Sequence, residues 1–371
     1  MKKEKIFMIP ADFKKESVIK FAKKNKNYAI PVVEFYGSIK TSRLGSGRKF
    51  FELPDVEMKE FKEYIKIINE NGMHFNYVLN TSCISNKDFT KDGQREIINE
   101  VQELIDAGIN YFTIALPSLI DLFKTYFPNI KVTLSIICGV DSLSKMECYC
   151  NFSNIDNIYI HERIYRQSNL MKSMINIAHK YNKKVGIIVN SFCLSECPFR
   201  QYHYNFGAHA VYGSEYIIPE YYGSKCALMK IKDKRNILNA PWVRPEDINF
   251  YINMGVDRYK ISGREMYSNN ADMFKVVDTY NSFKYEGNLT DLFMCFTKCA
   301  YSEIFNIKND IALDNYLKNV LNGTFECNVF GCSNCMKCKN ALKSIECKKE
   351  GVKKWKKIFE ERLLKYNEKK Q

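Results

Sequence analysis

Cysteines in the segment Asn190–His209 have the spacing of metal ligands. Cys193 and Cys197 are separated by three residues, and Cys226 follows in the same long connection between predicted elements. A loop can present soft ligands and cations that a packed strand cannot, so this connection is a natural place for chemistry. Thiolates grouped in this way bind zinc or an iron–sulfur cluster. The three cysteines therefore predict a metal site that needs one more ligand.

The fourth ligand of this site is predicted to come from elsewhere in the chain. Cys83 follows the third predicted strand and is the first candidate, Cys138 follows the fifth and is the second, and a cysteine of the C-terminal region is the third. A free cysteine often only packs in a core, which is the alternative at each of these positions. We expect packing or surface roles for four others: Cys148, Cys150, Cys295 and Cys299.

A second cysteine group lies near the C-terminus. Its members are separated by four, two and two residues: Cys327, Cys332, Cys335 and Cys338. The C-x2-C-x2-C part resembles the ligation of a [4Fe–4S] cluster in ferredoxins. Structural zinc sites usually pair two separated C-x2-C knuckles. The spacing predicts a metal site and favours a second [4Fe–4S] cluster, with zinc as the alternative.

Basic side chains accompany the first cysteine group. Arg200, His203 and His209 follow the cysteine pair, and Lys260 and Arg264 lie on or just after the last predicted strand. Such groups can bind or protonate an anionic substrate. The formal net charge of +14 and the pI near 9.0 suit RNA or a carboxylate metabolite as that partner. A solvated lysine-rich surface is the alternative. An electron donor or a partner protein is a further expectation.

The loop after the second predicted strand combines small and cationic residues. Gly45 and Gly47 are flanked by Arg43 and Arg48. Glycine allows a ligand to approach the backbone closely, and arginine binds carboxylate or phosphate. The loop is either an anion site or a solvated turn.

Short β-branched and aromatic runs alternate with amphipathic segments along the chain, which is typical of repeated βα units. The predicted strands are Glu4–Ile9, Pro31–Tyr36, His74–Asn80, Asn110–Leu116, Lys131–Ile137, Asn157–His161, Lys184–Asn190 and Asp257–Ser262. Predicted helices between them include Met58–Asn71, Gln94–Ala107, Asn169–Tyr181 and Arg244–Met254. Eight such units predict an α/β fold, a TIM-like (β/α)8 barrel with its active site at the C-terminal ends of the strands.

The chain is predicted to divide into a barrel, residues 1–284, and an appendage, residues 285–371. The long connection 191–243 is rich in aromatic residues, so we expect an ordered, cluster-binding cap over the barrel mouth. The appendage is cysteine-rich and mainly helical, and it ends in a predicted helix, Lys349–Lys369, with one apolar face.

Composition and segment lengths favour the cytoplasm. No segment approaches the roughly 20 apolar residues of a membrane span, and the first apolar stretch is too short for a signal peptide. Fourteen cysteines in clusters indicate metal ligation in a reducing compartment rather than disulfides. We therefore expect a cytoplasmic protein with no membrane partner.

Three stretches together resemble the peptidase U32 family, also called collagenase-like peptidases. They are NSFCLSEC with the later Cys226, the R-P-E-D helix start at Arg244–Asp247, and GVDRYKISGRE, which is similar to the family's closing strand. The resemblance implies a barrel that holds an oxygen-sensitive [4Fe–4S] cluster. It also implies oxygen-independent hydroxylation, which family members perform on ubiquinone precursors, tRNA wobble uridine or ribosomal RNA cytidine, some with prephenate as the oxygen source.

By the same resemblance, Cys193, Cys197 and Cys226 are cluster ligands, and Lys260 and Arg264 fall on the closing strand. The chain departs from the family pattern in two respects. Three residues rather than six separate the first cysteine pair, and no cysteine lies between Cys226 and the closing strand. The fourth ligand therefore stays open.

The sequence as a whole predicts an iron–sulfur enzyme that hydroxylates RNA or a small aromatic or anionic metabolite. One alternative is a peptidase, although H-E-x-x-H and G-x-S-x-G motifs are absent from the sequence. A thiolate bound to iron is not available to attack a peptide, so the two readings exclude each other at the same cysteines. The other alternative is a non-catalytic iron–sulfur protein that transfers electrons to, or docks on, another modification enzyme.

Overall fold

A computed structural model describes residues 5–40, 44–49, 52–209, 220–263, 271–324 and 335–365. Three predicted site residues, Arg264, Cys327 and Cys332, lie outside these ranges. So does Arg43 of the glycine-containing loop.

Eight parallel strands close into a barrel in the order of the sequence. Most are short runs of apolar and aromatic residues that are largely buried on both faces, as parallel strands covered by helices usually are. The last strand differs, since partly buried Arg258 and Lys260 flank buried Tyr259. The strands are β1 (Ile6–Pro10), β2 (Val32–Gly37), β3 (His74–Leu79), β4 (Tyr111–Ile114), β5 (Lys131–Leu134), β6 (Ile155–Tyr159), β7 (Lys184–Ile188) and β8 (Arg258–Lys260). The eight predicted strands and the TIM-like fold are confirmed.

Parallel pairing of β1 with β8 closes the barrel, with Met8 opposite Lys260. Inside, Met8 and Tyr159 belong to a small buried cluster that is separate from the main core. The Tyr159 ring occupies the space beside Gly186, where an added Cβ would lie 2.8 Å from a ring carbon. Gly186 therefore makes room for a large side chain in the lumen.

Helices surround the barrel and continue beyond it. They are α1 (Lys15–Lys24), α2 (Met58–Glu70), α3 (Lys91–Asp106), α4 (Pro117–Tyr126), α5 (Leu143–Cys150), α6 (Ser168–Lys180), α7 (Arg200–His209), α8 (Tyr221–Lys232), α9 (Arg235–Leu238), α10 (Ile248–Met254), α11 (Met273–Asn281), α12 (Leu289–Phe293), α13 (Ala300–Ile304), α14 (Ile311–Leu321) and α15 (Lys349–Leu364). The predicted helices are confirmed within the described ranges, except that Pro245–Asp247 forms a 3-10 turn before α10. Residues 366–369 of the predicted terminal helix lie outside these ranges. None of the helices in the described ranges has both the length and the apolar character of a membrane span.

The connection 191–243 is ordered over most of its length, as predicted. It contributes α7, α8 and α9, while residues 210–219 lie outside the described ranges. Helix α8 packs against α15.

The region after the barrel shares one hydrophobic core with it, from Phe7 of β1 to Phe359 of α15. Its two short strands, β9 (Phe305–Ile307) and β10 (Ile345–Cys347), pair antiparallel. Arg244, at the R-P-E-D motif, connects the two regions: its guanidinium is bonded to Asp247 at 2.7 Å and also to Asp314 of α14. The motif is thus a structural junction.

Helix α15 crosses α13 at very short range, which a glycine allows. A Cβ added at Gly351 would lie 2.2 Å from the carbonyl oxygen of Glu303. The Glu303 carboxylate in turn accepts hydrogen bonds from Lys354 Nζ and Trp355 Nε1, both at 2.7 Å. Backbone contact and side-chain bonds together hold α13 in place.

Substituting Gly351→Ala should lower the free energy of unfolding by about 1–3 kcal/mol, since the added methyl meets backbone that cannot move aside cheaply. Gly223→Ala, in α8, is the matched control, because its Cβ would meet only the flexible Glu220 carboxylate, at 3.1 Å. The control should be neutral or stabilising, because alanine is favoured over glycine by about 1 kcal/mol within a helix. Urea unfolding measures the stability of both variants. Equal free energies of unfolding for Gly351→Ala and Gly223→Ala would contradict the close crossing of α15 and α13.

Candidate functional site

The cysteine loop begins just after β7, beside the end of the neighbouring strand β8 at the mouth of the barrel. Asn190 makes two hydrogen bonds to the backbone of Ser262, through Nδ2 and Oδ1, both at 2.7 Å. Its Nδ2 also approaches Phe293 of α12, whose carbonyl oxygen accepts at 3.1 Å. The amide thus locks the ends of two strands to the region that follows the barrel and sets the starting point of the loop.

A buried ion pair sets the path of the loop. Arg200, with 13% of its side chain exposed, is paired with Glu162, which is 3% exposed. Arg200 also donates to the Leu194 carbonyl at 2.7 Å, and Ser191 Oγ donates to Glu162. Burial alone would lower the pKa of Arg200, but the Glu162 carboxylate raises it beyond its usual value. Arg200 is thus already paired with a carboxylate inside the protein. Any anionic substrate that Arg200 binds, as predicted, must share its guanidinium with Glu162.

Cys193, Cys197 and Cys226 share one electrostatic neighbourhood. Burial raises the pKa of Cys197, and negative charge on Cys226 and Cys193 raises it further. Cys193 and Cys197 lie in the loop after β7, whereas Cys226 lies on α8. The fold thus brings together the three cysteines that the sequence grouped.

A fourth cysteine, Cys299, is linked to this neighbourhood through Tyr301 of α13. Burial raises the pKa of Tyr301 well above its usual value, and charges on Cys226, Cys193 and Cys299 raise it further. Cys299 directly precedes α13, where its backbone N–H donates to Ser302 Oγ at 3.0 Å. Sequence reasoning assigned Cys299 to packing or the surface. No local spacing could have found it, since a long stretch of chain separates it from Cys226.

The sulfur of Cys226 accepts hydrogen bonds from two largely buried residues. Lys230 Nζ donates at 2.7 Å and Tyr301 Oη at 3.9 Å. Lys230 is fully buried, and its ammonium faces the rings of Phe192 and Tyr301 at 5.6 and 5.1 Å. In the described part of the chain, Lys230 has no carboxylate within ion-pair distance. Sequence reasoning missed this lysine, which lies in a stretch rich in lysine.

The donor set at this site is soft and negative. Charge on the thiols of Cys226, Cys193 and Cys299 acts on Tyr301, and the buried Lys230 amine donates to the sulfur of Cys226, so the chemistry suits a thiolate-bound metal group. Among the described residues, no three candidate ligands converge closely enough to hold a single metal ion.

The other two candidates for the fourth barrel ligand lie in different surroundings. Cys138 donates its thiol to the Ala115 carbonyl at 3.1 Å, and burial raises its pKa to about 12. Cys83 accepts from the Ser85 backbone N–H at 3.4 Å. Neither is among the main charges acting on Cys197 or Tyr301.

The predicted substrate-binding cations are distributed around the mouth. Lys260 Nζ lies 3.6 Å from the ring centre of Tyr36 and 5.4 Å from that of Tyr159. The ring of His203 stacks on Tyr222 at 5.5 Å, and His209 is the last residue of α7. Of these three residues, Lys260 is the one that lies against aromatic rings of the barrel lumen.

The glycine-containing loop after β2 lies across the mouth. Gly47 N–H donates to Asn80 Oδ1 at 2.7 Å, and Arg48 donates to the Gly263 carbonyl at 3.4 Å. A Cβ added at Gly207 of α7 would lie 3.4 Å from the Gly47 carbonyl oxygen. This loop and α7 therefore cover the mouth together.

The described cysteines of the appendage are spread along it. Cys335 and Cys338 precede a 3-10 turn, and Cys347 ends β10. Burial raises the pKa of Cys347. The second predicted metal group keeps only Cys335 and Cys338 within the described ranges, so it stays a prediction.

Comparisons with known proteins add the following. No family model matches the chain. A curated protein of Methanocaldococcus jannaschii, "Uncharacterized protease MJ1657", is 29% identical over 350 residues, which cover 91% of this chain and 98% of that protein. Among solved structures, the U32 peptidase Mk0906 is 13% identical, with a TM-score of 0.49 over 69% of this chain and 92% of that one. The citrate synthase SbnG is 8% identical, with a TM-score of 0.34 over 71% and 89%. Structural likenesses at this level support no inference about function.

His161, at the end of β6, should make stability depend on pH. Burial and, to a lesser extent, the nearby Arg200 charge lower its pKa from 6.5 to about 4. Between these two values the unfolded chain binds a proton that the folded chain does not, so stability falls as pH falls. We expect a loss on the order of 2 kcal/mol.

Urea unfolding at pH 7 and pH 4.5 measures this loss, and His161→Gln should reduce it by that amount. The control is His209→Gln, at an exposed position, which should leave the pH dependence as in the wild type. An unchanged dependence in His161→Gln would contradict the assignment.

Proposed function

Because this chain belongs to the peptidase U32 family, we propose that it is an iron–sulfur enzyme. Its barrel mouth would hold a [4Fe–4S] cluster and carry out oxygen-independent hydroxylation, or a related redox modification, of an anionic substrate. The family assignment rests on the three sequence motifs and on the relative that matches nearly its whole length.

We propose Cys193, Cys197, Cys226 and Cys299 as the cluster ligands. The observation that carries this proposal is the position of Tyr301, whose hydroxyl donates to Cys226 Sγ at 3.9 Å. Burial raises the pKa of Tyr301, and charge on Cys226, Cys193 and Cys299 raises it further. All ligands of a single zinc ion lie about 2.3 Å from one point. In a cubane cluster each cysteine binds a different iron, so the sulfurs stand farther apart. Cysteines that all act on Tyr301 but, among the described residues, do not converge on one ion suit the second arrangement.

When bound, the cluster supplies one-electron redox chemistry at the mouth. The residues of the chain have the other tasks: Lys260 binds an anionic group of the substrate above Tyr36, and Arg264, beyond the described ranges, adds a second cation. Helix α7, with His203 and His209, and the loop containing Gly47 exclude water from above. Either histidine can move a proton.

The positive net charge of the chain suggests the class of substrate. A formal net charge of +14 favours RNA, and a carboxylate metabolite is the alternative. Redox turnover also requires an electron donor or a partner protein. The proposed thiolate ligands and oxygen-sensitive group would suit the reducing cytoplasm. In the appendage we propose a second [4Fe–4S] cluster or a zinc ion at Cys327, Cys332, Cys335 and Cys338.

A peptidase is the second candidate, because the Methanocaldococcus relative carries the name of a protease. A cysteine peptidase needs a thiolate activated by a histidine. Here the polar partners of Cys226 are a lysine and a tyrosine, and the histidine nearest in sequence to the loop cysteines stacks on an aromatic ring. The described geometry is thus less suited to a peptidase.

Iron content should identify the ligands of the barrel site. In a background that lacks Cys335 and Cys338, anaerobically purified protein should hold about four irons and four sulfides per chain. Cys226→Ser and Cys299→Ser should each reduce the iron by more than half. Cys148→Ser, at an exposed position of α5, is the matched control and should change nothing.

Cys83→Ser completes this series. If it abolishes iron binding and Cys299→Ser does not, Cys83 is the fourth ligand. If the unsubstituted protein binds no iron and a single cysteine substitution abolishes proteolysis, the peptidase reading replaces the proposal. An intact cluster with no turnover until a second protein is added would favour the electron-transfer alternative.

Substrate class should be visible in binding. If RNA is the substrate, its affinity should fall steeply between 50 and 200 mM salt, by roughly a thousandfold if about six phosphates are contacted. A carboxylate metabolite would show a much weaker dependence. Filter binding with total tRNA and ribosomal RNA measures this, and Lys260→Met should lose modification activity while keeping its iron.

A further inference from the structure

We propose that Lys230 tunes the barrel cluster by donating a hydrogen bond to the sulfur of Cys226, which raises the reduction potential. This inference rests on the proposed function, since it needs a cluster bound at Cys226. It assigns a task to a residue that neither the motifs nor the family resemblance singles out.

The burial of Lys230 requires an explanation. Lysine is almost never fully buried without a partner, because removing its amine from water costs several kcal/mol. Lys230 is 0% exposed, and within the described ranges its amine has one polar partner, Cys226 Sγ at 2.7 Å. The faces of Phe192 and Tyr301 surround the rest of the amine. Among the residues that the structure describes, the amine therefore meets aromatic faces and one sulfur, and no carboxylate lies within ion-pair distance.

Helical spacing determines the contact. Residues four apart lie on the same face of a helix, so Lys230 follows Cys226 on α8 by one turn. The lysine two positions further along, Lys232, is exposed. The same helix thus provides both the buried amine and an exposed control.

A hydrogen bond to a ligating sulfur changes the potential of a cluster in a known direction. The potential depends on net charge, on hydrogen bonds to the sulfurs and on solvent exposure. Reduction adds one electron, which increases negative charge on the sulfurs, so an N–H donor stabilises the reduced form more than the oxidised form. A nearby ammonium acts in the same direction. Lys230 should therefore raise the potential.

Redox titration of the full-length protein with dithionite, followed by EPR of the reduced cluster, tests this. In Lys230→Met the ratio of reduced to oxidised cluster at a fixed potential should fall at least tenfold, which corresponds to about 59 mV for one electron. Lys230→Arg keeps a donor and should restore most of the potential. Lys232→Met, the same change at the exposed position, should leave the potential at the wild-type value.

A second measurement avoids the risk that Lys230→Met does not fold. Protein labelled with ¹⁵N only at lysine should show a ¹⁵N hyperfine coupling to the reduced cluster in pulsed EPR. The coupling should persist in Lys232→Met and vanish in equally labelled Lys230→Arg. Iron content at the wild-type level in Lys230→Arg would show that the cluster itself remains.

The outcomes separate the two proposals. A wild-type protein that binds no iron overturns the proposed function and this inference with it. A wild-type cluster with an unchanged potential in Lys230→Met, or with no lysine ¹⁵N coupling, overturns the role of Lys230 alone. Loss of iron in folded Lys230→Met with full iron in Lys230→Arg supports a donor at this position.

Discussion

Arg244 connects the barrel to the chain that follows it, and the candidate site depends on that connection. The residue is 2% exposed, and its guanidinium is bonded to Asp247, Asn309 and Asp314. A buried cation is tolerated only when carboxylates and other acceptors replace its water, and losing one partner typically costs about 3–5 kcal/mol. Two of its partners, Asn309 and Asp314, lie beyond the barrel. Arg244 is thus fully compensated only when the C-terminal region has docked.

Docking of the C-terminal region also brings Cys299 to the cap. Cys193 and Cys197 follow β7, Cys226 lies on α8, and Cys299 precedes α13, which α15 holds through Gly351 and its neighbours. The cysteines thus come from three separate parts of the chain. Such a set does not exist in the unfolded protein, so the free energy of binding a metal group there would add directly to folding stability.

The sequence was informative where one local pattern determined the outcome. Val185–Ile188 is a continuous run without polar side chains, as a strand buried on both faces must be, and it forms most of β7. Cys299 and Lys230 could not be found in this way. Cys299 becomes a neighbour only through packing of α13, and Lys230 resembles any lysine of a solvated helix until α8 is covered.

The two halves of the cysteine set are held by different means. Cys193 and Cys197 depend on a tertiary ion pair, Arg200 with Glu162, that links the loop to the end of β6. Cys226 and Lys230 lie one turn apart on a single helix, so their contact needs only that α8 stays helical. A change in the cap that loosened the ion pair would therefore move two of the proposed ligands while leaving the N–H···S contact intact. The donor would stay with its sulfur, which is what a fixed reduction potential of the proposed cluster would require.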